Sequence, residues 1–506
     1  MTRLRSGIGT NDLSPCPAAE VLMLDYDLES RGELSLYEFV YRSIRCDIEA
    51  GTLAPHEKLP SKRTFAQHLG VSLITVENAY AQLVTEGYCY TKPRSGYYVS
   101  ELSFCNASIR KWDKGTGHLS HCQESPTNNV TNDLSLCPKS APTSFVLDLS
   151  QVTVDPAMVS RVWGRALRRV LSAESDEELY GPQAPKGTLR LRRAIAHRLR
   201  ETRGFEADPA RIVVGAGSQL LDAALAQLLR PRGLVALENP GYPRLAQIYE
   251  SAGVSVQPIG LDDEGMSMEG LRASNASLVH IMPSHQFPTG IVTSVSRRYE
   301  LLAWASEVEG RYIVEDDYDA SFRMAGRPVA SLASIDVAGH VIYTNTFSKS
   351  LGPALRMAFM VLPAKLAEAW DERVGFYANT VSVIDQIALA RMIETGDYER
   401  HVNRYRKAQR DVRDAFIDEM IRYAPSGRVH VEQADSGLHF VLSIENADER
   451  RIAAIALDRG VHLSPMGDYA LAPLSPHDDA RFAIQYGGLD VESAREAARI
   501  IASCIG

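Results

Sequence analysis

The spacing of apolar residues changes character twice along this chain. From residue 34 to about 102 they return every three or four positions, in "SLYEFVYRSIRCDIEAG", "SKRTFAQHLG" and "SLITVENAYAQLVTEG", which is the period of amphipathic helices. The pattern predicts a first helix to about Ala50, a turn-rich spacer "GTLAPHEKLP", a second helix from Ser61 to Gly70, and a third from Ser72 to Glu86. Ser72 is a good N-cap, and Gly70 and Gly87 are helix breakers. "TKPRSGYYVSEL" then signals strand, turn and strand. The period disappears over 103–145, where Ser, Thr, Asn and Pro dominate, the composition of a flexible linker. From about 146 to 506, continuous apolar runs such as "RIVVGAG", "GLVALENPG", "SLVHIMPS", "RYIVEDDYD", "HVIYTNTFS" and "MAFMVLP" alternate with helical stretches. Runs of this kind predict an α/β domain with a mostly parallel sheet covered on both faces.

The first zone has the form of a helix-turn-helix followed by a hairpin wing. In that arrangement Ser72 and Thr75 reach base edges or phosphates from the third helix, and Arg94 and Gly96 sit on the wing. Arg63 and Arg94 would neutralise phosphates. A helical packing module without nucleic acid has the same period, so periodicity leaves both readings open.

Composition narrows the classes. The 506 residues are 45% hydrophobic and 23% charged, with no apolar run long enough for a membrane span and no signal-peptide core at the start. Seven cysteines without a CxxC pair predict a reduced, cytoplasmic setting. A formal net charge of −9 argues against a general nucleic-acid coat but leaves room for a small DNA-reading module. The linker's His118, His121 and Cys122 are polar tether residues, and no metal is assigned.

The chemistry of the large zone lies at its strand ends. "VVGAGSQL" ends a strand in a Gly/Ser turn that opens a helix near Ser218, a place where backbone N–H groups receive phosphate. "ENPGYPR" sets Tyr242 on a tight turn. "YIVEDDYD" closes a strand with Glu315, Asp316 and Asp317 before Tyr318, and "YTNTFSKSLGPALR" sets Lys349 on a Ser/Thr-rich turn seven residues before Arg356. Together these residues form a site for pyridoxal 5'-phosphate. Lys349 supplies the Schiff base, an aspartate protonates the pyridine nitrogen, and a tyrosine binds the ring oxygen. Gly217, Ser218, Thr346, Ser348 and Arg356 hold the phosphate. Magnesium at the acidic turn is the competing reading, weakened because no Gly-Lys-Ser/Thr phosphate loop accompanies it.

Two resemblances carry these readings further. "KLPSKRTFAQHLGVS", "TVENAYAQLVTEGY" and "RSGYYV" are similar to the GntR-type winged helix, except that Leu73 and Asn78 stand where arginines are usual. "YGPQAPKGTLRLRRAIAHRL", "ENPGYPR", "PSHQFPTG", "EDDYD", "TFSKSLGPALR" and "GLHFVL" resemble a fold-type I aminotransferase with its smaller C-terminal subdomain. The whole chain resembles the MocR/GabR subfamily of GntR regulators. That resemblance implies Lys349 as the Schiff-base lysine, Asp316 (or Asp317) at the pyridine nitrogen, Tyr318 at the ring oxygen and Tyr242 stacked on the ring. It also implies a head-to-tail homodimer that binds operator DNA and senses an amine or amino-acid-like effector, or the cofactor itself, by aldimine exchange. A working aminotransferase with an accessory DNA-binding domain is the alternative. Of the family's two effector-binding arginines, Arg244 matches the first; the second falls on Ala483, with Arg481 two residues away and about 7 Å displaced on the same strand face. Asn345 stands where the family has glycine.

Overall fold

The computed structural model describes residues 24, 26, 28, 35–92, 95–101, 147–229, 233–324, 330–435, 437–474 and 478–505. The expected linker 103–145 and Arg94 lie outside the described residues. The chain divides into two compact units, Met1–Leu102 and Ser103–Gly506.

In the first unit α1 spans Leu36–Glu49, α2 Lys62–Leu69 and α3 Leu73–Thr85, followed by β1 (Cys89–Lys92) and β2 (Gly96–Val99). Each helix starts at a serine, Ser35, Ser61 or Ser72, whose side chain accepts a backbone N–H three residues on. That satisfies one of the orphan donors of the first turn. Gly70 ends α2 with φ 66°, a left-handed conformation suited to glycine. Val40, Ile44, Phe65, Val76, Tyr80 and Leu83 form the buried core. The strands pair antiparallel with Lys92 opposite Gly96, which gives the winged helix-turn-helix.

The second unit is built on an eight-stranded sheet. In spatial order its strands are Ile212–Gly215, Ala358–Val361, Val341–Thr346, Tyr312–Asp316, Leu278–Ile281, Val235–Asn239, Val256–Asp262 and Gly265–Met266. Pairing is parallel from Val341–Thr346 through to Val256–Asp262. Ala358–Val361 runs antiparallel to both of its neighbours. The strands Ile212–Gly215, Val235–Asn239, Leu278–Ile281, Tyr312–Asp316 and Val341–Thr346 are therefore aligned, and their carboxyl ends open on one edge. In open α/β sheets that edge is where ligands bind. A smaller antiparallel sheet of Val429–Glu432, His439–Ile444 and Ala480–Gln485 follows, with the long helix Asp397–Tyr423 and the final helix Val491–Ala502 packed against each other. This is the architecture of fold-type I aminotransferases.

Candidate functional site

The acidic strand end resolves by strand alternation, because successive side chains leave opposite faces. Glu315 and Asp317 point into the core. Glu315 accepts the N–H groups of Leu332 (2.8 Å) and Ala333 (2.9 Å), with the Arg298 guanidinium 3.7 Å away. Asp317 receives Arg203 at 2.7 Å and the Tyr343 hydroxyl at 2.7 Å. The cations that so much buried acid requires are thus two arginines. Asp317, the alternative partner for the pyridine nitrogen, takes both of these contacts on Oδ2 and faces the core, on the opposite side of the strand from Asp316. Asp316 has buried His280 at 3.9 Å, and Tyr249 Oη bonds the other ring nitrogen of His280 at 2.9 Å. Burial alone would lower the His280 pKa, but Asp316, Asp222 and Glu238 outweigh it and raise it. His280 is a backing residue for Asp316 that the sequence reading missed.

Lys349 lies in the short helix Ser348–Leu351, directly after the strand Val341–Thr346. Its Nζ is 5.6 Å from the centre of the Tyr318 ring. Burial lowers its pKa against the opposing pull of Asp319 and Asp316, so a larger share of the amine is neutral and nucleophilic. The Tyr318 hydroxyl is buried with no hydrogen-bond partner among the described residues, a cost that a ligand oxygen at this place would remove. Asn345, where the family has glycine, turns inward and donates to the Asp317 carbonyl at 2.7 Å, tying the two central strand ends together.

The anion end is equally specific. Gly217 has φ 93°, and a Cβ there would meet the Arg356 guanidinium at 2.5 Å. Arg356 itself takes φ 42°, a conformation unusual for a side-chain-bearing residue. Its guanidinium is thereby laid against the turn that opens the helix Ser218–Leu229. Thr346 Oγ1 accepts the Ser348 N–H at 3.1 Å, shaping the facing turn. Glycine backbone, helix start, guanidinium and hydroxyls fit a phosphate monoester. Tyr242 opens the helix Pro243–Ser251, and Gln219 donates to its hydroxyl at 3.1 Å. The donor set as a whole fits pyridoxal phosphate.

The two arginines expected at the effector are not alike. Arg244 is exposed. Arg481 is held by Glu432 Oε2 at 2.6 Å on the outer strand of the small sheet. Ala483 is buried opposite Val441. The Arg481 charge is thus paired with Glu432 across the middle strand of the small sheet.

Three further residues emerge from motifs whose side chains the sequence reading left unassigned. His285 Nδ1 and Asp319 Oδ2 are 2.7 Å apart, and the His285 and His439 rings lie 4.0 Å apart with a 34° tilt. All three are buried, and the described residues offer this one group of three side chains able to ligate a metal.

In the first unit, Ser72 is occupied as the α3 cap, with Thr75 N at 3.1 Å and Thr75 Oγ1 at 2.8 Å from its hydroxyl. Beside exposed Ser72, α3 presents Leu73 and Ile74 at its start, 41% and 67% exposed. Arg63 on α2 is exposed, and Gly96 (φ 120°) opens β2. Ser72→Ala is expected to destabilise α3 by about 1 kcal/mol. Amide exchange in α3 should accelerate by about fivefold, with Ser72→Asp restoring protection.

The folds and sites define a winged helix-turn-helix joined to an aminotransferase-like domain, and comparison with known proteins agrees. Residues 36–99 match the family model "Bacterial regulatory proteins, gntR family", and residues 146–501 match "Aminotransferase class I and II". The chain is 35% identical over 472 residues to the HTH-type transcriptional regulator YhdI of Bacillus subtilis, covering 92% of this chain and 95% of that one. It is 30% identical over 485 residues, 94% of each chain, to the probable rhizopine catabolism regulatory protein MocR of Rhizobium meliloti. Among solved structures, the kynurenine aminotransferase of Pyrococcus horikoshii superposes with a TM-score of 0.62 at 25% identity, over 72% of this chain and 91% of that one. The multiple substrate aminotransferase of Thermococcus profundus also gives 0.62, at 24% identity, over 72% and 92%. The chain belongs to the MocR-type branch of the GntR family of transcriptional regulators.

Proposed function

We propose that this protein binds operator DNA through its winged helix and holds pyridoxal phosphate on Lys349 of the large domain, where an amine effector displaces the lysine and biases DNA binding. The observation that carries the reading is the position of buried Lys349 beside the Tyr318 ring, where the Asp319 and Asp316 charges act on it. It occupies the same strand-end edge as the Gly217–Arg356 cradle. When bound, the cofactor supplies an aldehyde that condenses reversibly with amines and a ring that draws electrons. The chain's own groups do the rest. Lys349 attaches and is released, Asp316 backed by His280 holds a proton at the ring nitrogen, and the Tyr318 hydroxyl meets the ring oxygen. Arg356, Gly217, Ser218, Thr346 and Ser348 anchor the phosphate, and Tyr242 covers the ring. Release of Lys349 removes one covalent constraint from the turn Ser348–Leu351, a local change able to bias a two-state arrangement of the protein. A 103–145 tether between a 34–102 DNA module and a 146–506 effector domain completes the proposal, together with a head-to-tail homodimer.

Gel-shift titration of the full-length protein on the DNA upstream of its own gene, with and without amines, tests the regulatory reading. The proposal requires a saturable shift in affinity. Arg63→Ala is expected to weaken binding on every sequence and to reduce the slope of log K against log salt by about one. An unchanged slope would remove Arg63 from the interface. Sustained turnover of an amino acid with a keto acid, without any change in DNA affinity, would favour the working aminotransferase.

A further inference from the structure

The cluster of His285, Asp319 and His439 is given no task by the cofactor, yet it is coupled by charge to the cofactor lysine. Asp319 heads the charges that act on Lys349, and the charge of Lys349 in turn acts on His439. Phe287, whose ring is edge-on to Tyr242 at 6.4 Å, is also edge-on to His439 at 5.3 Å. The cluster is thus continuous with the wall of the pocket. His285, Asp319 and His439 are 2%, 3% and 2% exposed, and the Nε2 atoms of both histidines are buried without a hydrogen-bond partner. Two orphaned imidazole nitrogens side by side are a cost unless a ligand satisfies them.

We propose that His285 and His439 form the subsite for the distal end of the amine effector, and that this subsite takes a hydrogen-bond donor, a hydroxyl or second amino group, in place of a carboxylate. The inference rests on the reading of Lys349 given above.

His285 Nδ1 and Asp319 Oδ2 share a 2.7 Å hydrogen bond, so Nε2 is the polar atom of that ring left to a ligand. A Cβ at Gly437, which has φ 67°, would collide with both Asp319 Oδ2 and His285 Nδ1. The backbone therefore closes over that bond, and Nε2 is the ring nitrogen left without a partner. Burial, His285 and Lys349 all act to keep His439 uncharged, well below the ordinary imidazole range. The negative charge that borders the pair is the Asp319 carboxylate, bonded to His285. Arg481, the cation that would have welcomed an acid, is held by Glu432. A carboxylate entering here would face the lone pair of uncharged His439 and the negative charge of Asp319, whereas a hydroxyl or ammonium would find an acceptor. A metal is the weaker occupant. The 2.7 Å bond already occupies Nδ1 and the carboxylate oxygen, and the two rings lie 4.0 Å apart with a 34° tilt.

The test uses matched three-carbon amines on the full-length protein: 3-aminopropan-1-ol and 1,3-diaminopropane against β-alanine. Their affinities are read from the visible spectrum and by calorimetry. The alcohol or the diamine should bind at least about tenfold more tightly than β-alanine. His439→Phe and His285→Phe, which keep a ring in place, should each shrink that preference to within about twofold. Preference for β-alanine, or an unchanged ranking in both variants, overturns the proposal. So does stoichiometric zinc, added as the chloride, held by the wild type and lost in the variants. If no cofactor band forms, the Lys349 reading fails, and calorimetric ranking of the same amines still decides the subsite.

Discussion

Lys349→Ala is expected to leave a colourless protein that still binds DNA but no longer changes its affinity when amines are added. The band is lost because no other amine occupies the position. Among the described residues, Lys349 is the lysine that follows the central strand Val341–Thr346, 5.6 Å from the Tyr318 ring centre and under the charges of Asp319 and Asp316. The response is lost because the proposed signal is the release of that lysine, and an alanine has nothing to release. Basal DNA binding survives because α1–α3 and the wing have their own core and caps. Spectra and gel shifts on wild type and variant check all three parts. A variant that stays yellow, or one that still answers to amines, would move the attachment elsewhere.

Arg203→Met should be the most damaging single change to the large unit that touches no ligand. Its guanidinium side chain is 4% exposed and lies 2.7 Å from Asp317, whose side chain is 0% exposed. It also donates to Ser284 at 3.1 Å, so one residue ties the acidic turn to the "PSHQFPTG" loop. Removing it leaves a buried carboxylate supported by the Tyr343 hydroxyl alone, a loss of about 3–5 kcal/mol. Urea unfolding followed by circular dichroism should show a clearly lower midpoint. Adding Asp317→Leu to Arg203→Met should recover part of the loss, since an apolar pair of similar volume does not strand a charge. Equal midpoints for wild type and Arg203→Met would show that the pair contributes little.

Much of this was legible from the chain because the strand ends carry local signals. "VVGAGS", "ENPGYPR", "EDDYD" and "TFSKS" each join a buried run to a turn, and the parallel sheet brings those turns to one edge. The helices of the DNA unit followed from period and serine caps. What escaped depended on partners far away in sequence. That Glu315 and Asp317 serve the core follows only once Arg298, Arg203 and the Leu332 and Ala333 amides are in place. His280 supports Asp316 from a neighbouring strand. His285, Asp319 and His439 stood in three quoted motifs, but nothing in their spacing shows that they meet. Arg481 was placed on the correct strand, yet Glu432, two strands over, determines where its charge goes. Ser72 was right as a cap, its hydroxyl accepting the Thr75 N–H.

The central claim is that Lys349 carries the cofactor, and borohydride reduction of the purified protein followed by peptide mass mapping tests it most directly. Reduction fixes the attachment as a stable secondary amine before digestion. The account predicts a pyridoxyl-phosphate adduct on the peptide that contains Lys349 and on no other lysine. An adduct on a different lysine, or none in protein saturated with pyridoxal phosphate, would contradict it.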